Sequence, residues 1–254
     1  MHDNLTLAAS KGAVSTPASA LRLAAALLPL VFPLLVAAIG LGLWLDLTSL
    51  ATTSAPDQLV TWLMIMVPLA LWLLAVWALA KTRAYAHPLA IPSGVLLPPL
   101  VAIVLLTRLP LFPVLMSVTP PAWLIGSMLV RVVGGIFLIA AASGVLRRPL
   151  FNWSAGALDI LIGVTALPVA IWVSSGSLLA VPVAIGWNAV GLFDFAVAMV
   201  LARFGSGPRD MLLLETPTVR TLKPTIAGIV TFAVPLAIIS HILSVWQLGD
   251  RPYL

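Results

Sequence analysis

Residues 128–144 read MLVRVVGGIFLIAAASG, an apolar run that contains one arginine, Arg131, followed closely by two adjacent glycines. A charged side chain inside a membrane span is costly, and such side chains face the interior of a helix bundle beside groups that can compensate them. The residues that balance the charge of Arg131 should therefore lie on neighbouring helices, and finding them defines how the helices are arranged.

The rest of the chain has the composition of a membrane protein. Only 8% of its 254 residues are charged and 61% are hydrophobic, whereas a soluble domain carries about 25% charged residues. The apolar segments are continuous and do not alternate with polar residues, which favours helices over a transmembrane β-barrel. The sequence therefore predicts an all-α, polytopic bundle of transmembrane helices. It contains no cysteine, which excludes disulfides and thiolate metal sites.

A spanning helix needs about 20 predominantly apolar residues, and about seven segments of the chain meet this requirement. The predicted spans are residues 21–45, 59–80, 89–107, 122–145, 153–173, 179–202 and 225–248. The third span contains three prolines, which kink helices, and the proline-rich stretch 109–118 is predicted to be interfacial or re-entrant. Six and eight spans remain alternatives. The predicted organisation is a polar tail (1–20), a seven-helix domain (21–248) and a short tail (249–254).

Lys and Arg in the loops predict the orientation, because cytoplasmic loops carry an excess of both. Two such residues, Arg108 and Arg251, fall on one side of the predicted bundle. Ten fall on the other side: Lys11, Arg22, Lys81, Arg83, Arg147, Arg148, Arg203, Arg209, Arg220 and Lys223. We therefore expect a cytoplasmic N-terminus, an external C-terminus and residence in the bacterial inner membrane. The net charge of +5 then reflects membrane topology, and no nucleic acid partner is expected.

Three ionisable residues lie well inside predicted spans, namely Arg131, Asp159 and Asp194 in spans four, five and six. A rise of about 1.5 Å per residue places the two aspartates at similar depth, with Arg131 and Asn188 nearer the outer side. Because an arginine side chain can reach toward a partner, we predict one buried polar cluster of Arg131, Asp159, Asn188 and Asp194.

Glycines surround the buried charges at helical spacing. Residues three or four apart share a helix face, and small residues allow membrane helices to approach closely. The sequence therefore predicts close helix contacts at five glycines: Gly134, Gly135, Gly156, Gly163 and Gly191.

The cluster permits a structural or a proton-handling role. One arginine with two ionised carboxylates has a net charge of −1, and protonation of one carboxylate makes it neutral, which a low-dielectric site favours. Two interacting carboxylates titrate as a coupled pair. A buried ion pair can equally fix helix register without moving anything. The sequence is compatible with both interpretations.

Other kinds of site find little support in the sequence. His241 is predicted to lie near the outer end of the last span as a hydrogen-bonded interfacial residue, and His2 and His87 lie at other depths, which argues against haem or metal. The last span has no central lysine for retinal. The common hydrolase, nucleotide-binding and metalloprotease motifs are absent. We therefore expect no catalytic residues, no metal and no cofactor, while lipid could occupy gaps between the helices.

The sequences RVVGGIFL (131–138), AGALDILIGVTA (155–166) and WNAVGLFDFAVA (187–198) resemble a family of uncharacterised bacterial polytopic integral membrane proteins. The resemblance rests on Arg131, Asp159, the Trp187-Asn188 pair and Asp194 occurring together, and it covers spans four to six only. It implies a shared membrane core and carries no known activity.

Two functional hypotheses follow. In the first, the protein is a non-enzymatic accessory or scaffold subunit that packs against partner membrane proteins, because its loops are short and its polar residues few. In the second, it is a small proton-coupled transporter or channel that uses a track through Arg131, Asp159 and Asp194, since buried charges often mark such pathways.

Overall fold

The computed structural model describes residues 17–50, 54–110, 112–144, 149–205, 207–213 and 217–250. All regular secondary structure in these residues is helical. We label the helices in chain order: α1 Pro17–Ser49, α2 Ala55–Ala80, α3 Ala90–Leu106, α4 Phe112–Val118, α5 Pro121–Ala142, α6 149–174, α7 Ala180–Gly205, α8 Gly207–Leu213 and α9 217–250. A single 3₁₀ turn, Ala84–Ala86, lies between α2 and α3.

Among the described residues, six helices are long and apolar enough to cross a membrane. They lie within α1, α2, α5, α6, α7 and α9, and each overlaps one of the predicted spans. The remaining predicted span corresponds to α3, which is apolar but has only 17 residues. Helix α1 begins at Pro17, inside the segment that the sequence assigns to a polar tail, and the predicted interfacial stretch 109–118 contains the short helix α4.

Local sequence explains several helix ends. Helix α2 begins after Ser54, whose hydroxyl accepts a hydrogen bond from the backbone N–H of Asp57 at 3.4 Å, as is typical of an N-cap. After α5 and α6 the chain turns at Gly144 and Gly176, which have φ values of 69° and 70°. Glycine suits this left-handed conformation because it lacks a Cβ.

Helix α9 forms the centre of the bundle. In its apolar part, Leu222–Asp250, 72% of the most apolar window is buried, compared with 11% in α1 and 22% in α2. The first part of α9, Pro217–Gly228, contacts α1 and α2, and its last part, Val234–Asp250, contacts α3, α5 and α7. Helix α6 packs against α5 and α7. The core therefore runs along α9, which contacts most of the other helices.

Three of the central helices contain irregular segments. Residues Ser127–Gly135 of α5 form a 3₁₀ helix, while Trp153–Leu158 of α6 and Ile229–Ala233 of α9 form π-helical turns. Long 3₁₀ runs and π turns inside helices are uncommon and often occur at functional sites. All three segments lie on the faces where these helices meet.

The irregular segment of α9 has an identifiable cause in Pro235. Proline has no backbone N–H and displaces the carbonyl four residues earlier, which here belongs to Thr231. The Trp72 indole Nε1–H donates to this Thr231 carbonyl at 3.0 Å, and the Trp72 ring packs on Phe232 with a centroid distance of 4.8 Å. A neighbouring helix thus satisfies the backbone group that proline leaves free, as membrane helices require.

Candidate functional site

Arg131 faces the bundle interior because its helix is locally wound with three residues per turn. In a 3₁₀ helix, residues three apart lie directly above one another. Met128, Arg131 and Gly134 form one such row, and all three are buried. The row points toward α6, α7 and α9, where the residues that contact Arg131 are found.

The Arg131 guanidinium binds both buried aspartates. Its Nε lies 2.7 Å from Asp159 Oδ1, and its Nη2 pairs with Asp194 Oδ2. Asp159 begins the regular α-helix that follows the π turn of α6, and Asp194 also lies near the Ser154 hydroxyl at 3.5 Å. The Arg131 cation of α5 therefore joins α6 and α7 through their two carboxylates. This is the contact that the predicted polar cluster requires.

The second terminal nitrogen of Arg131 turns away from the carboxylates. Nη1 donates to the Gly191 carbonyl at 3.1 Å and lies 3.2 Å from His241 Nε2. Four of the five guanidinium N–H groups thus have partners among the described residues. The Arg131 side chain is almost fully paired within the protein.

The hydrogen bonds of Asn188 determine the protonation of His241. The Asn188 amide nitrogen donates to the Ala184 carbonyl at 2.8 Å and to Ser244 Oγ at 3.2 Å. Its oxygen must then accept from His241 Nδ1, 2.7 Å away. With the proton on Nδ1, the free Nε2 lone pair accepts from Arg131. This pattern assigns a neutral His241. In a protonated ring, the Nε2–H donor would face the Nη1–H donor of Arg131.

We refer to Arg131, Asp159, Asn188, Asp194 and His241 as the Arg131 cluster. Its five members come from α5, α6, α7 and α9, and each is buried. The sequence-based cluster has four of these residues. The structure brings all four into one network, with His241 between Arg131 and Asn188.

His241 was expected to be a hydrogen-bonded residue at the outer interface; its hydrogen bonds are confirmed, whereas its burial corrects the expected position. It has no exposed surface in the described structure. Helix α9 continues to Asp250, so His241 lies about 13 Å from the helix end, and α4 packs against this end of α9. The sequence feature that pointed to a buried His241 was Ser244, a second polar residue on the same helix face at a spacing of three residues.

Aromatic side chains enclose the cluster. The Arg131 guanidinium carbon lies 4.0 Å from the centre of the Phe195 ring, a cation–π contact. The Trp187 ring lies 5.5 Å from the His241 ring, and the Trp187 indole N–H donates to Thr165 Oγ1 at 2.9 Å. Phe195 and Trp187 thus pack directly on Arg131 and His241.

The five predicted glycines all lie at close contacts. A Cβ at Gly163 would lie 2.8 Å from the backbone nitrogen of Val132, and one at Gly191 would lie 2.5 Å from His241 Cε1. A Cβ at Gly134 would overlap the Asp159 side chain. The other two glycines, Gly135 and Gly156, face Ile160 at 3.2 Å and Leu138 at 2.6 Å.

The space around the cluster is small. A cavity of about 10 Å³ lies beside Arg131, Asp159 and Phe195, close to the minimum that one water molecule needs. In the part of the chain that the structure describes, no three His, Asp or Glu residues are grouped in a way that could hold a metal ion. The arrangement offers paired charges and room for about one water.

Two further buried polar contacts were not predicted. Thr119 Oγ1 donates to Asp46 Oδ2 at 2.5 Å, and the Gln247 amide donates to the Met116 carbonyl at 2.8 Å. Both lie where the segment around α4 covers the ends of α1 and α9. Asp46 lies one residue beyond the predicted first span, which ends at residue 45, so its burial was not predicted from the sequence.

Comparison with known proteins identifies a family but no characterised relative. A family described as a domain of unknown function, DUF8737, matches residues 88–249, which is more than half of the chain. Neither the curated proteins nor the solved structures contain a match. The matched region includes the whole Arg131 cluster and helices α3 to α9, and it ends one residue before the end of α9. The chain therefore belongs to the DUF8737 family.

Proposed function

We propose that this protein is a non-enzymatic, multi-pass membrane protein that serves as an accessory or scaffold subunit for other membrane proteins. In this proposal the Arg131 cluster is a structural staple. It joins α5, α6, α7 and α9 and fixes their register, which presents a defined outer surface to partner chains.

The observation that carries the proposal is the internal pairing of Arg131. Four guanidinium N–H groups bind protein atoms, and the adjoining cavity of about 10 Å³ is too small for a substrate. A transport path requires groups that can exchange partners and a route for the transported species. A network that is nearly saturated and enclosed by aromatic rings favours a fixed structural role.

The outer surface offers apolar area that a partner chain could cover. The most apolar window of α1 is only 11% buried, and that of α2 only 22%. Large apolar side chains such as Leu34, Leu41 and Leu71 are more than half exposed. Such surfaces suit contact with lipid or with the apolar face of another membrane protein.

The test is purification of a tagged copy from its native membrane in mild detergent, followed by gel filtration and mass spectrometry. The proposal expects partner membrane proteins in stoichiometric amounts. Recovery of the protein alone would contradict it. The Arg131→Met variant serves as a control, because loss of the Arg131 cluster should destabilise the fold and abolish recovery of the partners.

We further propose seven spans, with α3 as the additional one, a cytoplasmic N-terminus and an external C-terminus in a bacterial inner membrane. This orientation is supported by ten Lys and Arg residues in the segments on one side of the bundle, compared with two on the other side.

Because the chain contains no cysteine, single cysteines can be introduced at Lys81 and Arg108 without removing others. A membrane-impermeant thiol reagent added from outside should label position 108 and spare position 81. Labelling of both or the reverse pattern would contradict the topology.

A proton-coupled transporter or channel is the second candidate, favoured by the two carboxylates that share one guanidinium. Asp159 and Asp194 lie on different helices beside irregular helical segments, where local rearrangement could alter their pairing. Proton uptake into liposomes that contain the purified protein tests this candidate. Uptake that the Asp159→Asn and Asp194→Asn variants abolish would favour transport over the subunit role.

A further inference from the structure

An exposed basic surface lies at the end of the bundle where α2 ends and α3 begins. Lys81 and Arg83 lie in the connection between these two helices, Arg209 in α8 and Arg220 near the start of α9. All four side chains are exposed. We define Lys81, Arg83, Arg209 and Arg220 as the basic surface.

The segments that carry the basic surface pack together. Helix α8 contacts both the Ala84–Ala86 turn and the first part of α9, and that part of α9 contacts α2. Arg209 Nη2 donates to the Ala86 carbonyl at 2.7 Å, which ties α8 to the turn. The four cations are therefore presented by one assembled face and do not lie on separate loops.

The charge of this face is only partly balanced by the chain. Among the side chains that the structure describes, none of Lys81, Arg83 and Arg220 forms an ion pair. The two connecting segments, 81–87 and 203–223, contain six Lys and Arg residues against two acids, Asp210 and Glu215. A net positive charge remains beside the end of a membrane-spanning bundle.

We propose that the basic surface binds the headgroup phosphate of anionic phospholipids. Clustered Lys and Arg beside a membrane helix attract anionic lipids, and the attraction falls off within a Debye length. Lys81 directly follows the apolar helix α2, so the cations lie where headgroups meet the end of a span. The proposal does not depend on the accessory role of the protein or on whether it transports protons.

Lipid retention by the full-length protein tests the proposal. The protein is reconstituted into bilayers of phosphatidylcholine and phosphatidylglycerol in equal amounts and extracted in mild detergent at low salt. Native mass spectrometry then counts the lipids that stay bound. We expect phosphatidylglycerol to be enriched over phosphatidylcholine, and high salt to remove the enrichment.

The decisive variant is Lys81→Gln/Arg83→Gln/Arg220→Gln, which removes three exposed cations and leaves the Arg209 hydrogen bond intact. Each lost cation should lower the preference for the anionic lipid roughly fivefold. The matched control is Arg108→Gln, an exposed cation beyond the opposite end of α3, which should leave the preference unchanged. If the triple variant does not elute as a single gel-filtration peak, the single variants Lys81→Gln and Arg220→Gln each test the same expectation.

Two outcomes would overturn the proposal. One is an unchanged preference for phosphatidylglycerol in the triple variant, or an equal loss in Arg108→Gln. The other is complete displacement of the lipid by millimolar inorganic phosphate, which would identify a site for the free anion. Persistence of lipid binding in phosphate supports a site that uses the lipid's position at the membrane surface.

Discussion

The first two helices and the remainder of the bundle are organised by different interactions. Helices α1 and α2 lie outside the region that matches the DUF8737 family, 88–249, and their most apolar windows are 11% and 22% buried. Helix α9, inside the matched region, is 72% buried over the corresponding window. The matched region also holds every member of the Arg131 cluster.

The contacts that attach α1 and α2 are mostly apolar. Phe32 of α1 packs edge-to-face on Phe232 of α9, and the Trp72 ring of α2 packs on the same Phe232 ring with a centroid distance of 4.8 Å. By contrast, α5, α6, α7 and α9 meet through charges, buried amides and glycines. Apolar contacts tolerate small shifts, whereas a buried ion network has one satisfied geometry. The difference suggests that the Arg131 cluster sets the register of the bundle and that α1 and α2 are attached to it.

The strongest test of this contrast is removal of the central cation. Arg131→Met leaves Asp159 and Asp194 buried without their partner, which should cost about 3–5 kcal/mol and lower both the unfolding temperature and the yield of folded protein. Thermal unfolding in detergent, followed by gel filtration, measures the loss. The triple variant Arg131→Met/Asp159→Asn/Asp194→Asn removes all three charges and should recover part of the stability. Wild-type stability in Arg131→Met alone would show that the cluster does not hold the helices together.

A smaller effect is expected where α5 and α6 touch through their backbones. In Gly163→Ala the added Cβ would lie 2.8 Å from the Val132 nitrogen, and backbone cannot move aside as a side chain can. We expect a destabilisation of about 1–3 kcal/mol. Gly186→Ala in α7 is the matched control, because no atom lies within 4 Å of a Cβ there. Equal unfolding temperatures for the two variants would argue against tight packing at Gly163.

The outline of the bundle was predictable because lipid imposes strict rules on sequence. Apolar segments of about 20 residues correspond to the six long helices among the described residues. The predicted third span, which contains three prolines, corresponds to the short helix α3. The partners of Arg131 could be inferred because few charges occur inside spans. Asp159 and Asp194 were the only candidates of opposite sign within spans four to seven.

Other features depend on three-dimensional packing that sequence spacing does not reveal. His241 was expected at the interface, since its depth was judged from the end of an apolar segment, and the sequence could not show that α4 covers this end of α9. The 3₁₀ winding around Arg131 was also not predicted, because the local sequence has the apolar pattern of an ordinary helix. It is this winding that aligns Met128 and Gly134 with Arg131.

Tyr85, in the turn after α2, links the two regions. Its hydroxyl forms a 2.8 Å hydrogen bond with Thr231 of α9. Tyr85→Phe removes this bond and should cost about 1 kcal/mol, less than either substitution above. Thermal unfolding of Tyr85→Phe beside Tyr253→Phe, the only other tyrosine, measures the difference.

The same residue gives a pH dependence. Burial raises the pKa of Tyr85 above its ordinary value, and its hydrogen bond with the Thr231 hydroxyl opposes this only in part. The unfolded chain therefore loses the tyrosine proton first, so stability is constant below about pH 10 and falls as the pH rises further. Phenolate absorbance in a Tyr253→Phe background should show late titration. Titration of Tyr85 at the ordinary tyrosine pKa would contradict its burial.

The smallest effect is expected on the outer face of α1. Leu34 is 67% exposed, so Leu34→Ala should change the free energy of unfolding by less than about 0.5 kcal/mol. Phe32, two residues earlier, is fully buried against Phe232, and Phe32→Ala should cost about 3–5 kcal/mol.

Partner recovery from native membranes separates stability from function. If α1 presents a partner surface, Leu34→Ala reduces recovery without changing the unfolding temperature, because the exposed leucine then contributes to the complex and not to the fold. Unchanged recovery would direct the search for the partner surface to α2 or α3.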